Sequence, residues 1–504
     1  MRSKKAFLNT TSSLILELVT IISGFIVPRL ILSRFGSSYH GITSSITQFI
    51  SYISLLTAGI GGVTRASLYK PLEEKDSQKI SAIIKATENF IRRVAYIFAI
   101  GLSLFAILYP LLVLDDFGWF FSFTLVLILG MGTFVRYYFG LTYQMLLQAD
   151  QKQYVIRFIE IITTVVNTLV AALLIKLVGN IHAVKLGSSL IFMANPIFVF
   201  LYVRHRYKID TDAEPDNSAI EQRWDAFAHQ IANFANNNTD LVILSFFTNL
   251  KEISVYTVYY GVSNGIRKLV TSVSTGVEAA FGNMIAKGEK KVLERNLSLF
   301  EFLIYSLSTL LFTCLGILIV SFVSVYTKGV TDVNYIRPEF GYLIAISEFF
   351  NCIRIPYQAV ARAAGHYRQT RNGAIFEAVI NIVISLVLVK RWGLVGVTVG
   401  TLCAMLFRTL QYSIYISQNI VNRSVFVTFK RLLISGVNSA GIVGAVSLLH
   451  LGKVTTYYTW FLNGLAVFGI ALVITAGFSM VFYREDTKGF IRLVQGITRG
   501  RRKT

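Results

Sequence analysis

The chain has 504 residues, of which 54% are hydrophobic and 15% charged, with a formal net charge of +21. Soluble domains carry about 25% charged residues, so this composition excludes an ordinary soluble globular protein. Three cysteines (Cys314, Cys352, Cys403), each inside an apolar run, and six scattered histidines also argue against a disulfide scaffold or a metal site.

Taken in chain order, apolar runs bounded by charge or turn residues predict fourteen membrane helices. They lie near 7–32, 41–68, 92–114, 119–147, 154–177, 182–203, 226–247, 254–285, 298–326, 338–362, 371–390, 394–417, 431–450 and 456–483. The basic start MRSKK precedes a segment too long for a signal peptide and without a small-residue cleavage site, so the first span is expected to stay in the mature protein. Lys and Arg crowd alternate links, such as Lys70–Arg93, Arg204–Arg223 and Lys287–Arg295, whereas the first long opposite link carries Asp115 and Asp116. Lys185 is counted with that sparsely basic side. The positive-inside rule then puts both termini in the cytoplasm. It also absorbs most of the +21, and no nucleic-acid partner is expected.

The chain repeats itself at a distance near 213 residues. Gln144, Ala149, Asn167, Lys176 and Gly179 recur as Gln358, Ala363, Asn381, Lys390 and Gly393. Six helices fit within that distance, so the two halves are expected to be parallel repeats. The expected organisation is an N-lobe at 1–204, a linker at 205–224, a C-lobe at 225–420, two added helices at 421–483 and a basic tail at 484–504. The tail reads either as an interfacial helix on anionic lipid or as a topology signal.

Span two carries a polar and small stripe: Ser44, Thr47, Ser51, Ser54, Ala58, Gly61, Arg65. Span eight carries Thr257, Tyr260, Asn264, Arg267, Thr271, Ser274 and Glu278, each 213 residues after its counterpart. The 3,4 spacing puts each set on one helix face, which must turn from lipid. Such faces serve as helix packing or as a cavity wall, and Arg267 near mid-membrane favours the wall. Span seven adds His229, Asn233, Asn236 and Asp240 on one face, opposite Glu17, Ile21, Gly24 and Pro28 of span one in the repeat.

Basic residues within spans are Arg29, Arg65, Arg136, Arg267, Lys268, Arg354 and Arg408. A charge at a helix centre costs about 2.5–3.5 kcal/mol, so each needs a reason. Arg29 and Arg65 lie near helix ends, where snorkelling and binding are both open. Arg267 and Arg354 are deepest and are the first candidates for holding an anionic substrate. Acidic residues at depth (Glu17, Glu160, Asp240, Glu278, Glu301, Glu348, Glu377) must pair with some of these cations.

These features resemble the oligosaccharide flippases of the multidrug/oligosaccharidyl-lipid/polysaccharide exporter superfamily. The resemblance rests on RFGSSYHG at 34–41, SYISLLTAGIGG at 51–62 and QAVARAAGHYR at 358–368, together with the fourteen-helix plan. It implies an all-α polytopic membrane protein with two parallel six-helix lobes around a central cavity plus two C-terminal helices. It further implies a non-enzymatic flippase in the bacterial cytoplasmic membrane, moving polyprenyl-diphosphate-linked oligosaccharide by alternating access for polysaccharide synthesis, beside membrane lipids and a polysaccharide polymerase. The family's cavity arginines match Arg29, Arg65 and Arg267; Arg354 joins them as the other deep cation. Ser51, Ser54, Asn233, Asn236, Tyr260, Asn264 and Thr271 would line the cavity. No P-loop is present, no cofactor or metal is expected, and Glu17, Asp240 and Glu278 are candidate proton or sodium coupling sites or counter-ions. Glu278 departs from a uniformly cationic cavity. The alternatives are a multidrug or cation antiporter of the same superfamily and, further off, a polysaccharide polymerase or ligase.

Overall fold

The computed structural model describes residues 2–57, 60–210, 212–221, 239–274, 277–449 and 451–500. Among these residues the chain is helical and contains no strand. The first helices are α1 (Arg2–Phe35), α2 (Ser37–Ile53), α3 (Ile60–Glu74), α4 (Ser77–Leu108), α5 (Trp119–Val135), α6 (Leu141–Ala149), α7 (Gln153–Leu177) and α8 (Ile181–Arg206). A helical stretch at 239–247, here α9, leads to α10 (Leu250–Ser272), α11 (Val277–Ala286), α12 (Lys290–Tyr326), α13 (Pro338–Ile353) and α14 (Ile355–Ala363). The chain ends with α15 (Tyr367–Ile416), α16 (Phe426–Leu448), α17 (Tyr457–Phe482) and α18 (Arg484–Gly500).

Thirteen of the fourteen predicted spans fall on these helices, and the described part of the seventh, 239–247, is helical too. Four spans are broken, span four by the π-helix Arg136–Gly140 between α5 and α6. Span two divides into α2 and α3 around a 3-10 turn at Ser54–Thr57, span eight into α10 and α11, and span ten into α13 and α14 at Arg354. Spans eleven and twelve are the two arms of α15, folded back at Gly393, where φ is 52°. There the arms touch: a Cβ at Gly400 would lie 2.2 Å from Ser385 Oγ. These breaks explain why nine described stretches are individually long and apolar enough to cross a membrane. The chain is a multi-pass membrane protein.

The backbone itself carries the repeat. Lys75 (φ 56°) is matched by Gly288 (70°), Gln151 (57°) by Gly365 (71°) and Gly179 (62°) by Gly393 (52°), each 213 or 214 residues apart. All three pairs take a positive φ at a helix end or fold-back. Sequence similarity of the halves is slight, yet the same joints share this uncommon φ.

The contacts divide the chain into two compact units, Met1–Ser254 with Gly329–Val333, and Val255–Lys328 with Asn334–Thr504. In the first, α1 packs on α7, α7 on α8, and α8 on α5. Residues 207–221 run along this unit: Asp216 N donates to Ala82 O (3.1 Å) and Ser67 Oγ to Ala219 O (2.6 Å). α2 begins after Gly36, which has no side chain to cap it. Asp332 supplies the cap instead, accepting from Ser37 N (2.8 Å) and Ser37 Oγ (2.6 Å). α2 also approaches the start of α10 so closely that a Cβ at Gly41 would lie 1.8 Å from Leu250 O.

In the second unit, α12 packs on α13, α16 and α17, and α13 on α15. The two added helices are fixed by an apolar cluster of Leu310, Cys314, Ile442, Val446, Val467 and Ala471. They are fixed again by ions. Glu301, fully buried, accepts from Arg423 Nη1 (2.8 Å) and faces Arg431 Nε (3.4 Å), while Arg431 Nη2 reaches Asp486 of α18 (3.1 Å).

Candidate functional site

The polar face of α10 closes on itself around Arg267. Tyr260, Asn264 and Arg267 are spaced 4 and 3, so they stack along one side of the helix. The guanidinium donates from Nη2 to Asn264 Oδ1 (2.6 Å) and to Tyr260 OH (3.2 Å), and from Nη1 to Glu348 Oε1 of α13 (3.3 Å). Asn351 Nδ2 holds the other carboxylate oxygen of Glu348 at 3.0 Å. The Arg267 side chain keeps 21% of its surface exposed. It is thus a half-open guanidinium, pre-aimed by two polar neighbours and balanced by one carboxylate.

Arg354 stands elsewhere. It closes α13, caps α14 and is 6% exposed, with Nη1 2.5 Å from Glu377 Oε1 of α15. Arg408 approaches the other oxygen of Glu377 through Nε (3.4 Å) and donates to Tyr412 OH (2.8 Å), Gln411 Oε1 (2.8 Å) and Thr370 O (3.0 Å). Gly373 makes room for that guanidinium, since a Cβ there would lie 2.2 Å from Arg408 Nη1. Arg354, expected beside a substrate, is here part of a buried ion cluster within the second unit.

In the first unit Arg65 Nη1 donates to Gln148 Oε1 at 2.7 Å. Glu278, its counterpart, accepts from Arg362 Nε at 2.8 Å, and both partners are nearly half-exposed. Glu278 is therefore a counter-ion to Arg362. Ser51 and Ser54 return their hydroxyls to carbonyls of their own helix, Gln48 O and Ile50 O, both at 2.8 Å. Thr271 is exposed and bonds Lys268 O. Arg29 and Glu17 lie partly buried on α1, and Asp240 sits beside Tyr52. Asn233 and Asn236 lie outside the described residues. Sequence reasoning paired none of these groups; Glu348 stood among its deep acidic residues, while Gln148 and Arg362 are partners it did not single out. Among the described residues no group of His, Cys, Asp and Glu is placed to hold a metal.

No family profile matches the chain, and no curated protein matches it. Solved structures do. The chain is similar to a lipid II flippase, MurJ, in an inward closed conformation, with a TM-score of 0.73 and 14% identity over 95% of this chain and 99% of that one. It is similar to an inward-facing multidrug resistance MATE family transporter of the MOP superfamily, at TM-score 0.58 and 12% identity over 79% and 95% of the two chains. A Vibrio cholerae MATE transporter, VcmN, follows at 0.53 and 15% identity over 84% and 98%. The chain therefore shares its fold with these flippase and transporter structures.

Proposed function

We propose that this chain is a flippase that moves polyprenyl-diphosphate-linked oligosaccharide repeat units from the cytoplasmic to the outer leaflet of a bacterial plasma membrane, with both termini cytoplasmic. Alternating access would carry the sugar, while the lipid tail stays in the bilayer. The observation that carries the reading is the half-open guanidinium of Arg267, braced by Tyr260 and Asn264. A planar fork of donors suits a diphosphate better than a point charge does. Glu348 holds that fork at 3.3 Å, a long contact that an incoming diphosphate would replace. Arg65 and Arg29 are the proposed further contacts. Asp240 and Glu17 are the proposed proton or sodium sites, and a polymerase is the proposed recipient of the product.

The likeness to a lipid II flippase supports a lipid-linked substrate; the likeness to multidrug transporters keeps a cation antiporter as the second reading. Reconstitution decides between them. Labelled polyprenyl-diphosphate oligosaccharide should cross vesicles containing the protein, and Arg267→Ala should slow it at least about tenfold, with Arg267→Lys intermediate. Transport of an organic cation without movement of any lipid-linked sugar would replace this reading with the antiporter.

A further inference from the structure

α18 leaves α17 after a break at Tyr483 (φ −123°, ψ 38°), and its sequence has two distinct sides. Arg484, Lys488, Arg492, Gln495 and Arg499 recur at spacings of 4, 4, 3 and 4 on one side; Phe490, Leu493, Val494 and Ile497 recur at 3, 1 and 3 on the other. The start of the helix is fixed within the second unit. Asp486 accepts from Ser298 Oγ of α12 (3.0 Å) and Arg431 Nη2 of α16 (3.1 Å), and Thr487 Oγ1 donates to Ser479 O of α17 (3.0 Å). Gly489 lies over α12, where a Cβ would be 3.7 Å from Leu299 Cδ1. These contacts set the level of α18. α12 begins with Lys290, Lys291, Glu294 and Arg295, and beyond Leu299 its only charge is Glu301, buried against Arg423 and Arg431. In α16 no charge follows Arg431, and α17 has none before Arg484. α18 crosses all three helices where charged side chains give way to apolar ones, which is the boundary between water and hydrocarbon.

We infer that α18 lies in the plane of the membrane surface and that its basic side binds the headgroups of anionic phospholipids in the leaflet where α17 ends. Asp486 and Thr487 precede Phe490 by four and three residues, so the face that meets the ends of the spanning helices also carries the apolar stripe. Past the first turn the protein stops covering that face: Phe490 is 36% exposed and its neighbour Ile491 47%. At this level the uncovered stripe meets acyl chains, as in other interfacial helices. On the other side Arg484, Lys488 and Arg492 are exposed. Among the described residues Arg484 and Arg492 have no ion pair, and Lys488 reaches only Glu485 of its own helix (3.3 Å). Each basic residue held against an anionic leaflet strengthens association about fivefold, and salt screens the effect. An acidic soluble partner would use the basic side alone and would leave the stripe and its membrane-directed seat without a role.

The test places a fluorophore on Phe490→Cys in the full-length protein, reconstituted in phosphatidylcholine vesicles. Labelling of the three native cysteines, Cys314, Cys352 and Cys403, is subtracted with the unaltered protein. The quencher is a small, equal mole fraction of phosphatidylglycerol or phosphatidylcholine bearing a nitroxide on the acyl chain. Both should quench the label, and phosphatidylglycerol should do so at least about twofold more strongly. That excess should vanish in high salt and in the Arg484→Gln/Lys488→Gln/Arg492→Gln variant. No quenching by either lipid overturns the inference, since α18 would then stand off the bilayer. Equal quenching by the two removes the preference for anionic headgroups, and an excess undiminished in the triple variant removes the role of these side chains. Should the triple variant fail to fold, the ratio of the two lipids and its response to salt in the Phe490→Cys protein still decide. No sugar is moved in these measurements, so they are independent of the flippase assay.

Discussion

Arg362 donates through Nε to Glu278 at 2.8 Å, one repeat after Arg65 donates to Gln148 at 2.7 Å. The contact is kept between the halves while its chemistry is exchanged: the cation moves from the first partner to the second. The Glu278–Arg362 pair is nearly half-exposed, so it contributes less than about 1 kcal/mol. Glu278→Arg alone sets two guanidiniums against each other and should lower the melting temperature; adding Arg362→Gln rebuilds the first-repeat pair and should recover it. A double variant no more stable than Glu278→Arg would show that the two contacts are not equivalent.

Glu377 balances both Arg354 and Arg408 inside the second unit. Removing one side of a buried ion pair leaves charge without compensation, which costs about 3–5 kcal/mol. Glu377→Gln should therefore unfold the protein well below the unaltered chain in detergent melts. A change too small to measure would mean that water or lipid reaches these arginines.

Asp150, in the turn after α6, draws together three parts of the first unit. Its carboxylate meets Lys5 Nζ (3.2 Å) and Lys152 Nζ (2.7 Å) and accepts from Tyr207 OH. Burial opposes its ionisation, but the bonds from Lys152, Tyr207 and Lys5 outweigh that and hold it below the usual carboxylate range. Burial and Asp150 together hold the Tyr207 hydroxyl above its ordinary range. With a depressed carboxyl, the stabilisation is present above the unfolded value of about 3.9 and fades as pH falls through the folded value. With a raised hydroxyl, it persists up to about pH 10 and is lost above. Near neutral pH the unaltered protein should exceed Asp150→Asn by about 2 kcal/mol. The gap should narrow in acid; a gap independent of pH would refute the role of the charge.

Lys75 and Gln151 hold left-handed conformations at joints where the second half uses Gly288 and Gly365. A non-glycine residue there costs about 1–2 kcal/mol, partly offset by the chain entropy of glycine. Lys75→Gly and Gln151→Gly should each stabilise by about 0.5 kcal/mol, while Gly365→Lys should destabilise. Melting curves check this, and a loss of stability in both glycine variants would refute it.

Apolar length and charge placement made the spans legible, because lipid forces both to show in one dimension. The stripe at Tyr260, Asn264 and Arg267 was legible for the same reason, and the three meet around one guanidinium. Pairings were not legible: Glu377 stood among the deep acids, but only packing decides that it takes Arg354 rather than leaving that arginine to a cavity. Lys185 is the instructive case. Its place near a helix end suggested an outer link, yet it lines a cavity of the first unit. The signal was present in Lys185, Ser188, Ser189 and Asn195 on one face of α8, and in Glu160, Thr163, Thr164 and Asn167 on α7.

Span four is interrupted by the π-helix at Arg136–Gly140, and span ten at Arg354, two residues before Pro356. A rod whose hydrogen-bond ladder already departs from the regular α pattern at mid-length gives up less when it flexes there. Each of these spans is in effect two short levers sharing a soft joint, so one half can tilt while the other stays seated among its neighbours.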